Sequence, residues 1–401
     1  MTGYLTSGER TRCCGCEACA QICAQKAIEM AEDAEGFRYP RLDRALCVDC
    51  GLCRGVCPCE REAPPVHPLR AAFGGYLKDE EVRRESTSGG AFSAIADCWC
   101  HGDYAVFGAA AEGLEVSHRY ITDLSELGML RKSKYTQSRI GTAYQDARDF
   151  LRQGKRVLFS GTPCQIAGLR AFLRGEDAEN LLTVEVVCEG LPSPWFIRKQ
   201  TAYLEERHGG RAVELDYRNK DRPKWDFEVT KLTFQDGRRI YMDRWVNPFH
   251  TVWMKGLMNR PSCGRCPYTA QTGLADITLG DLWRVHQRCP ELYGGNRGAS
   301  LVLCGTEKGA DVLAAASGAM YGHILPTDEV LSYQRRLTGP AQESPRREAF
   351  MADLRGMDFQ TLCRRWAGPV SPRLLWSKYV WGNRQKVFVW NLKRRLWRRG
   401  R

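Results

Sequence analysis

The chain has 401 residues, 43% of them hydrophobic, with a net charge of +12 and nineteen cysteines. That length and apolar content suffice for a large buried core divided over two or three domains, which leaves little need of disulfide staples. No apolar run approaches the length of a bilayer span, and Met1 to Arg12 is too polar for a signal peptide, so a reducing cytoplasm is the expected compartment.

The first element is a pair of cysteine runs. Cys13, Cys16, Cys19 and Cys23 follow C-x2-C-x2-C-x3-C, and Cys47, Cys50, Cys53 and Cys57 repeat it, with Pro58 behind the second run and Ala24 behind the first. Such spacing bends the backbone around a cubane, so that three thiolates reach one cluster and the fourth reaches the other. The expected ligand sets are Cys13, Cys16, Cys19 and Cys57 for one 4Fe-4S cluster, and Cys47, Cys50, Cys53 and Cys23 for the second. Tetrahedral zinc also uses C-x2-C pairs, but a duplicated four-cysteine run without histidine favours iron and sulfide. Residues 1–60 therefore read as a two-cluster ferredoxin-type domain.

Pro64, Pro65 and Pro68 sit among charged residues and favour extended backbone, which places a linker at 61–71. Beyond it, Tyr104 to Ala109, Arg156 to Ser160, Leu182 to Val187 and Ser300 to Leu303 are predicted strands. Ala91 to Trp99, Ala143 to Arg152, Gln165 to Leu173 and Pro194 to Arg207 are predicted helices, the last with Ser193 as N-cap and Pro194 at its first position. Phe227 to Phe234 and Arg238 to Tyr241, joined through Asp236 and Gly237, predict a β-hairpin. The expected fold class is α/β (α+β): a small two-cluster domain, then a large domain over 72–369 with a mixed sheet flanked by helices.

A third sulfur set is scattered over that domain. Cys164 lies past one predicted strand, Cys188 past the next, and Cys263 and Cys266 form a C-x2-C pair in a loop. Ligands collect at the C-terminal ends of strands in open α/β sheets, so these four could form a metal site; isolated cysteines are also ordinary small core residues. That second reading covers Cys14, Cys59, Cys98, Cys100, Cys289, Cys304 and Cys363.

The runs Ser86-Thr-Ser-Gly-Gly-Ala-Phe92, Lys132-Ser-Lys-Tyr-Thr-Gln-Ser138, Ser160-Gly-Thr-Pro-Cys-Gln-Ile-Ala-Gly-Leu169, Val187-Cys-Glu-Gly-Leu-Pro-Ser-Pro194, Tyr217-Arg-Asn-Lys220 and Asp276-Ile-Thr-Leu-Gly-Asp-Leu-Trp283 occur in this order. Together they resemble the coenzyme F-420 hydrogenase/dehydrogenase beta subunit family. The resemblance implies FAD beside a third 4Fe-4S cluster, with Cys164, Cys188, Cys263 and Cys266 as its ligands. It also implies flavin contacts from Ser86, Thr87, Ser88, Gly89, Gly90, Lys134, Gln137, Ser138 and Thr162. The small residues of 86–90 would let a pyrophosphate approach the start of the helix that follows. Lys220 and Asp281 are candidates for binding substrate or supplying a proton.

Ser371 to Arg401 holds ten basic side chains and no acidic one, and removing those ten charges from +12 leaves +2. In this tail, 370–401, Phe388, Val389, Leu392 and Leu396 share a helical face flanked by Lys386, Lys393, Arg394, Arg395, Arg398 and Arg399. It reads either as a contact with a partner or the inner membrane surface, or as a solvated terminus whose tryptophans cover the body. The functional expectation is an iron–sulfur flavoprotein oxidoreductase linking a ferredoxin or redox partner to a small-molecule two-electron substrate. The alternative is an electron-transfer subunit without a substrate of its own. A zinc-bearing nucleic-acid binder would leave the duplicated ferredoxin spacing unexplained.

Overall fold

The computed structural model describes residues 1–62, 68–176, 178–222, 224–269, 274–330, 333–382, 385, 387–389 and 392. Pro64 and Pro65 of the expected linker lie outside them, as do Lys386, Trp390, Leu396, Trp397 and the basic residues from Lys393 to Arg399 of the tail.

The N-terminal module is built from short helices and one ribbon. Strands β1 (Ile28–Glu32) and β2 (Arg38–Leu42) pair antiparallel, while the helices Ala18–Ile22 and Leu52–Gly55 carry Cys19 and Cys53. The large domain begins with β3 (Ala71–Leu77), inside the end of the expected linker. It continues through β4 (Tyr104–Glu112), β5 (Glu115–Ile121), β6 (Arg156–Gly161), β7 (Leu181–Val186), β8 (Ala212–Asn219), β9 (Val229–Phe234), β10 (Arg239–Met242), β11 (Ile277–Asp281), β12 (Ser300–Cys304) and β13 (Met320–Ile324).

Eight of these strands form one sheet in the order β13-β3-β12-β11-β7-β6-β4-β5. The central neighbours β4, β6, β7 and β11 run parallel, and the outer pairings are antiparallel. Parallel strands need cover on both faces, and the alternation of side chains supplies it. Ala105, Phe107, Val157 and Phe159 pack with the helices Ala143–Arg152 and Pro163–Leu173, whereas Val106, Leu158, Leu182 and Val184 join the core beneath Ala91–Trp99 and Glu307–Ser317. The hairpin β9–β10 turns through Asp236 and Gly237, where φ of +83° suits glycine, and extends with β8 into a separate three-stranded sheet. Beside it, Phe196, Phe249, Phe350 and Trp366 centre a further core.

The module is packed into the large domain. Its Cys16, Ala18 and Val56 join the core of Ala143–Arg152 and Pro163–Leu173, and Phe37 and Tyr39 join the core around Phe249. Gly168 makes the first contact possible, since a Cβ there would stand 3.0 Å from Cys16 Cβ and 3.1 Å from its sulfur. Glu35 and Arg347, both nearly inaccessible, pair across the junction, and the Tyr268 hydroxyl donates to Pro58 O at 2.8 Å. Among the described residues no helix is long and apolar enough to cross a membrane.

Candidate iron–sulfur and cofactor site

Cys13, Cys16, Cys19 and Cys57 converge on one small cavity, with Cys14 and Cys59 on the same wall. Burial raises the Cys19 thiol pKa well above the usual range, reinforced by Cys13 and Cys57, and raises that of Cys13 against the pull of Arg260. Cys23 ends the helix Ala18–Ile22, Cys47 and Cys50 precede the helix that carries Cys53, and Cys50 is exposed. Cys53 lies within electrostatic reach of Cys19.

The larger site sits at the C-terminal ends of the parallel strands, where adjacent strands leave a crevice. Thr162 caps the helix after β6 and forms a reciprocal box with Gln165, which sets Cys164 in the first turn. Cys188 follows β7, and Cys263 and Cys266 lie in and just after the turn Pro261–Arg265. All four cysteines line one cavity of about 780 Å³, together with Cys14 and Cys59 from the module. Leu191 N–H donates to Cys263 Sγ at 3.4 Å, and Thr162 Oγ1 lies 3.3 Å from Cys164 Sγ.

Burial and neighbouring sulfurs push the Cys188 thiol well up, Cys266 to about 12 and Cys263 to about 11. Cys164 moves the other way, to about 7, because the Cys14 thiol hydrogen-bonds to it. Thiols this crowded stay protonated unless a bound cation takes the protons' place. The donor set is all sulfur, which by type suits a 4Fe-4S cluster or tetrahedral zinc, but no three of these sulfurs lie within 4.8 Å of one another, whereas thiolates on one zinc stand roughly 3.8 Å apart. Cys14 also contacts Cys16 and Cys59, so it stands between the two sulfur clusters.

The expected flavin contacts Ser86, Thr87, Ser88, Gly90, Lys134, Gln137, Ser138 and Thr162 line the same cavity, but their polar groups are engaged within the protein. Ser86 donates to Val82 O and Ser88 to Ala299 O, Thr87 exchanges hydrogen bonds with Ser133, and the Gly89 N–H is taken by Ser300 Oγ at 2.9 Å. Gly89 thus has no N–H to offer a pyrophosphate. The Lys134 ammonium donates to Ala109 O, Met129 O and Arg131 O, and burial lowers its pKa to about 8. Gln137 spans to Cys14 O and Gly15 O, while Ser138 bonds His118 Nδ1 and Gln165 Nε2. The cavity is large and mostly lined by fixed groups, which suits a bulky planar cofactor held by shape and backbone.

Lys220 is buried away from this role. Its ammonium donates to Arg83 O and Ser88 O at 2.6 Å and to Arg297 O at 3.0 Å, so its three hydrogens hold the 83–90 loop in place. Burial, then Arg218 and Arg83, lower its pKa to about 7. Asp281, at the end of β11, does line the cavity and accepts from Arg218 Nη1 at 2.8 Å. Arg218 also reaches the Tyr135 hydroxyl at 3.1 Å and faces the Trp283 ring. Asp281 Oδ1 and Arg218 Nη2 are buried without a hydrogen-bond partner, on side chains that form the wall. Sequence reasoning singled out Lys220 in the Tyr217-to-Lys220 run and missed Arg218 two positions earlier. Alternation along β8 gave no signal, because residues two apart share a face and the strand is bulged between Asp216 and Asn219.

These features define an iron–sulfur redox protein. Residues 12–60 match the 4Fe-4S dicluster domain, and residues 154–329 match the family described as the C terminus of the coenzyme F420 hydrogenase/dehydrogenase beta subunit. The second match covers less than half of the chain. A curated relative, an uncharacterised polyferredoxin-like protein of Methanocaldococcus jannaschii, is 34% identical over 67 residues, covering 14% of this chain and 40% of the relative. The chain therefore spans about two fifths of that protein's length. A chain from the F420-reducing [NiFe] hydrogenase complex of Methanosarcina barkeri superposes with a TM-score of 0.45 at 15% identity, covering 69% of this chain and 92% of that one.

His118, on the cavity wall, accepts from Ser138 at Nδ1 and donates from Nε2 to Ser160 O, so it is held neutral, and burial lowers its pKa to about 4 from 6.5. Between those values the unfolded chain binds a proton that the folded chain does not, so stability falls as pH drops through the window and is unaffected above it. Replacing His118 with Gln is expected to flatten the pH slope of unfolding free energy by up to about 1.4 kcal/mol per pH unit. Denaturant titrations at pH 7.5, 6 and 5 read this slope, and an unchanged slope contradicts the assignment.

Proposed function

We propose that the chain is an iron–sulfur flavoprotein oxidoreductase that passes electrons between ferredoxin-type 4Fe-4S clusters and a two-electron substrate through FAD. The observation that carries this reading is the run of ten cysteines from the module's small cavity into the large one, with Cys14 touching both Cys16 and Cys164. When bound, the clusters would store single electrons and FAD would convert single electrons to a hydride pair. Cys13, Cys16, Cys19 and Cys57 hold the first centre in this reading, Cys47, Cys50, Cys53 and Cys23 the second, and Cys164, Cys188, Cys263 and Cys266 the third. Arg218, Asp281 and Trp283 orient the substrate from the far wall, and the buried surround excludes water.

The division into 1–60, 61–71, 72–369 and 370–401 follows these roles. Exposed Cys50 puts the second centre at the surface, where a ferredoxin or other redox partner can exchange electrons. That placement equally serves the second reading, an electron-transfer subunit of a larger complex. Replacing Cys164 with Ala is expected to remove about four irons per chain, leave the N-terminal centres in place and uncouple flavin reduction from them. Iron content equal to the unaltered protein would contradict the third ligand set.

The basic tail has a separate role in this reading, as a peripheral contact of a cytoplasmic protein with the inner membrane surface. Tyr379 donates to Asp243 and Lys378 lies over the Trp245 ring, which fixes one side of this stretch to the body, while Trp376, Val380 and Phe388 are exposed. Exposed aromatic and aliphatic side chains among lysines and arginines suit an anionic lipid interface. The full chain should float with vesicles containing phosphatidylglycerol and not with pure phosphatidylcholine, and the Trp376→Asp/Phe388→Asp variant should stay in solution. Equal behaviour on both vesicles contradicts this contact.

A further inference from the structure

We propose that Arg260 is a positioning residue that docks the Cys13 loop on the large domain and, through its buried positive charge, raises the reduction potential of the centre that Cys13 ligates. The inference rests on the reading of Cys13 as a ligand and goes beyond it, because it assigns a residue of one domain to the redox behaviour of the other.

Arg260 is 1% exposed and directs its Nε and Nη2 at the module. Its Nε donates to Cys13 O at 2.9 Å, its Nη2 donates to Arg38 O at 2.9 Å and lies 3.7 Å from Cys13 Sγ, and its Nη1 donates to Gln137 Oε1 at 3.0 Å. Gln137 in turn donates to Cys14 O and Gly15 O. Two large-domain side chains therefore grip the backbone of the Cys13–Cys16 loop. The grip is close enough to require glycine: at Gly15, where φ is +72°, a Cβ would stand 2.5 Å from Gln137 Nε2 and 2.8 Å from Arg260 Nη1. Tyr39 closes the other side, with its ring centre 4.1 Å from the guanidinium carbon.

A guanidinium remains charged in any protein environment, and burying one without an opposite charge is costly. Among the described residues Arg260 has no ion pair with a carboxylate, and the groups that act most on its charge are Cys13, Tyr39, Cys14 and Cys263. With Cys13 Sγ 3.7 Å from Nη2, the negative charge that balances Arg260 in this reading is carried by the sulfur ligands. A thiolate-ligated cluster is anionic and gains one further electron on reduction, with no bond made or broken. A fixed positive charge in a dry junction stabilises the reduced form more than the oxidised one, and N–H donors aimed at cluster sulfur act in the same direction. Arg260 also lies three residues before Cys263, so the same charge stands between the first and third sulfur sets.

The test is a redox titration followed by electron paramagnetic resonance on the full chain, purified anaerobically as unaltered protein, R260Q and R260K, with iron counted in each. The signal of interest is the one that Cys13→Ala removes. In R260Q its reduced-to-oxidised ratio at a fixed poise is expected to fall about tenfold, 59 mV for a one-electron couple, with a smaller fall in R260K and no shift in the exposed N-terminal centre. A midpoint is read only from chains that keep the centre, so partial iron loss does not obscure it. An unchanged midpoint in R260Q overturns the electrostatic role, and complete loss of the N-terminal centres from both variants overturns it in favour of a clamp alone. If the unaltered protein has no signal that Cys13→Ala removes, the ligand reading itself fails.

Discussion

The structure turns on the difficulty of burying sulfur as thiolate. Ten cysteines meet between the N-terminal module and the large domain, and burial raises the pKa of most of them. Protonated, they are a loose apolar cluster; ionised, they repel one another in a region that water does not screen. Positive charge at the junction decides between the two; Arg260 supplies one such charge, and metal bound as proposed would supply the rest. The neighbouring ion pair of Glu35 with Arg347, with Arg10 bracing Glu35 from within the module, then locks the module in place without drawing on Arg260.

The sheet explains why the site lies where it does. Four central strands run parallel, and the loops leaving β6, β7 and β11 present Cys164, Cys188 and Asp281 at the same end. The helix after β6 fixes Cys164 by its capping box and, through Gly168, lets the module's Cys16 approach its middle. One helix thus carries a ligand candidate of the large domain and a docking surface for the module. A cavity reaching from these sulfurs to Arg218 and Trp283 then has a sulfur-lined end and a polar end.

The interior strands were legible because they read as short apolar runs between helices: β6 and β12 appear within one residue of their expected bounds, and β7 is displaced by one residue at each end. Strand β3 was hidden, since Gly74 and Gly75 depress its strand propensity and its pairing partners β12 and β13 lie more than 200 residues away. The N-terminal cysteine spacing announced its chemistry. Cys164, Cys188, Cys263 and Cys266 did so less plainly, because three separate loops bring them together: their places past strand ends and the C-x2-C pair left a metal site and ordinary core cysteines both open, and the resemblance added the ligand role. Ser86 to Gly90 looked open in sequence, yet folding spends the hydroxyls of Ser86 and Ser88 on Val82 O and Ala299 O and the Gly89 N–H on Ser300. Arg260 carried no local signal at all: a lone arginine before a proline reveals its function only when Cys13, 247 positions earlier, is folded against it.

The central claim is that both sulfur sites of the junction hold iron and that the cavity beside them holds flavin. Iron, zinc, sulfide and released flavin per chain after anaerobic purification test it most directly. About twelve irons and one FAD are expected, for three clusters beside one flavin. About eight irons, with one zinc or without flavin, would contradict the account and leave the large domain as a scaffold for the N-terminal centres.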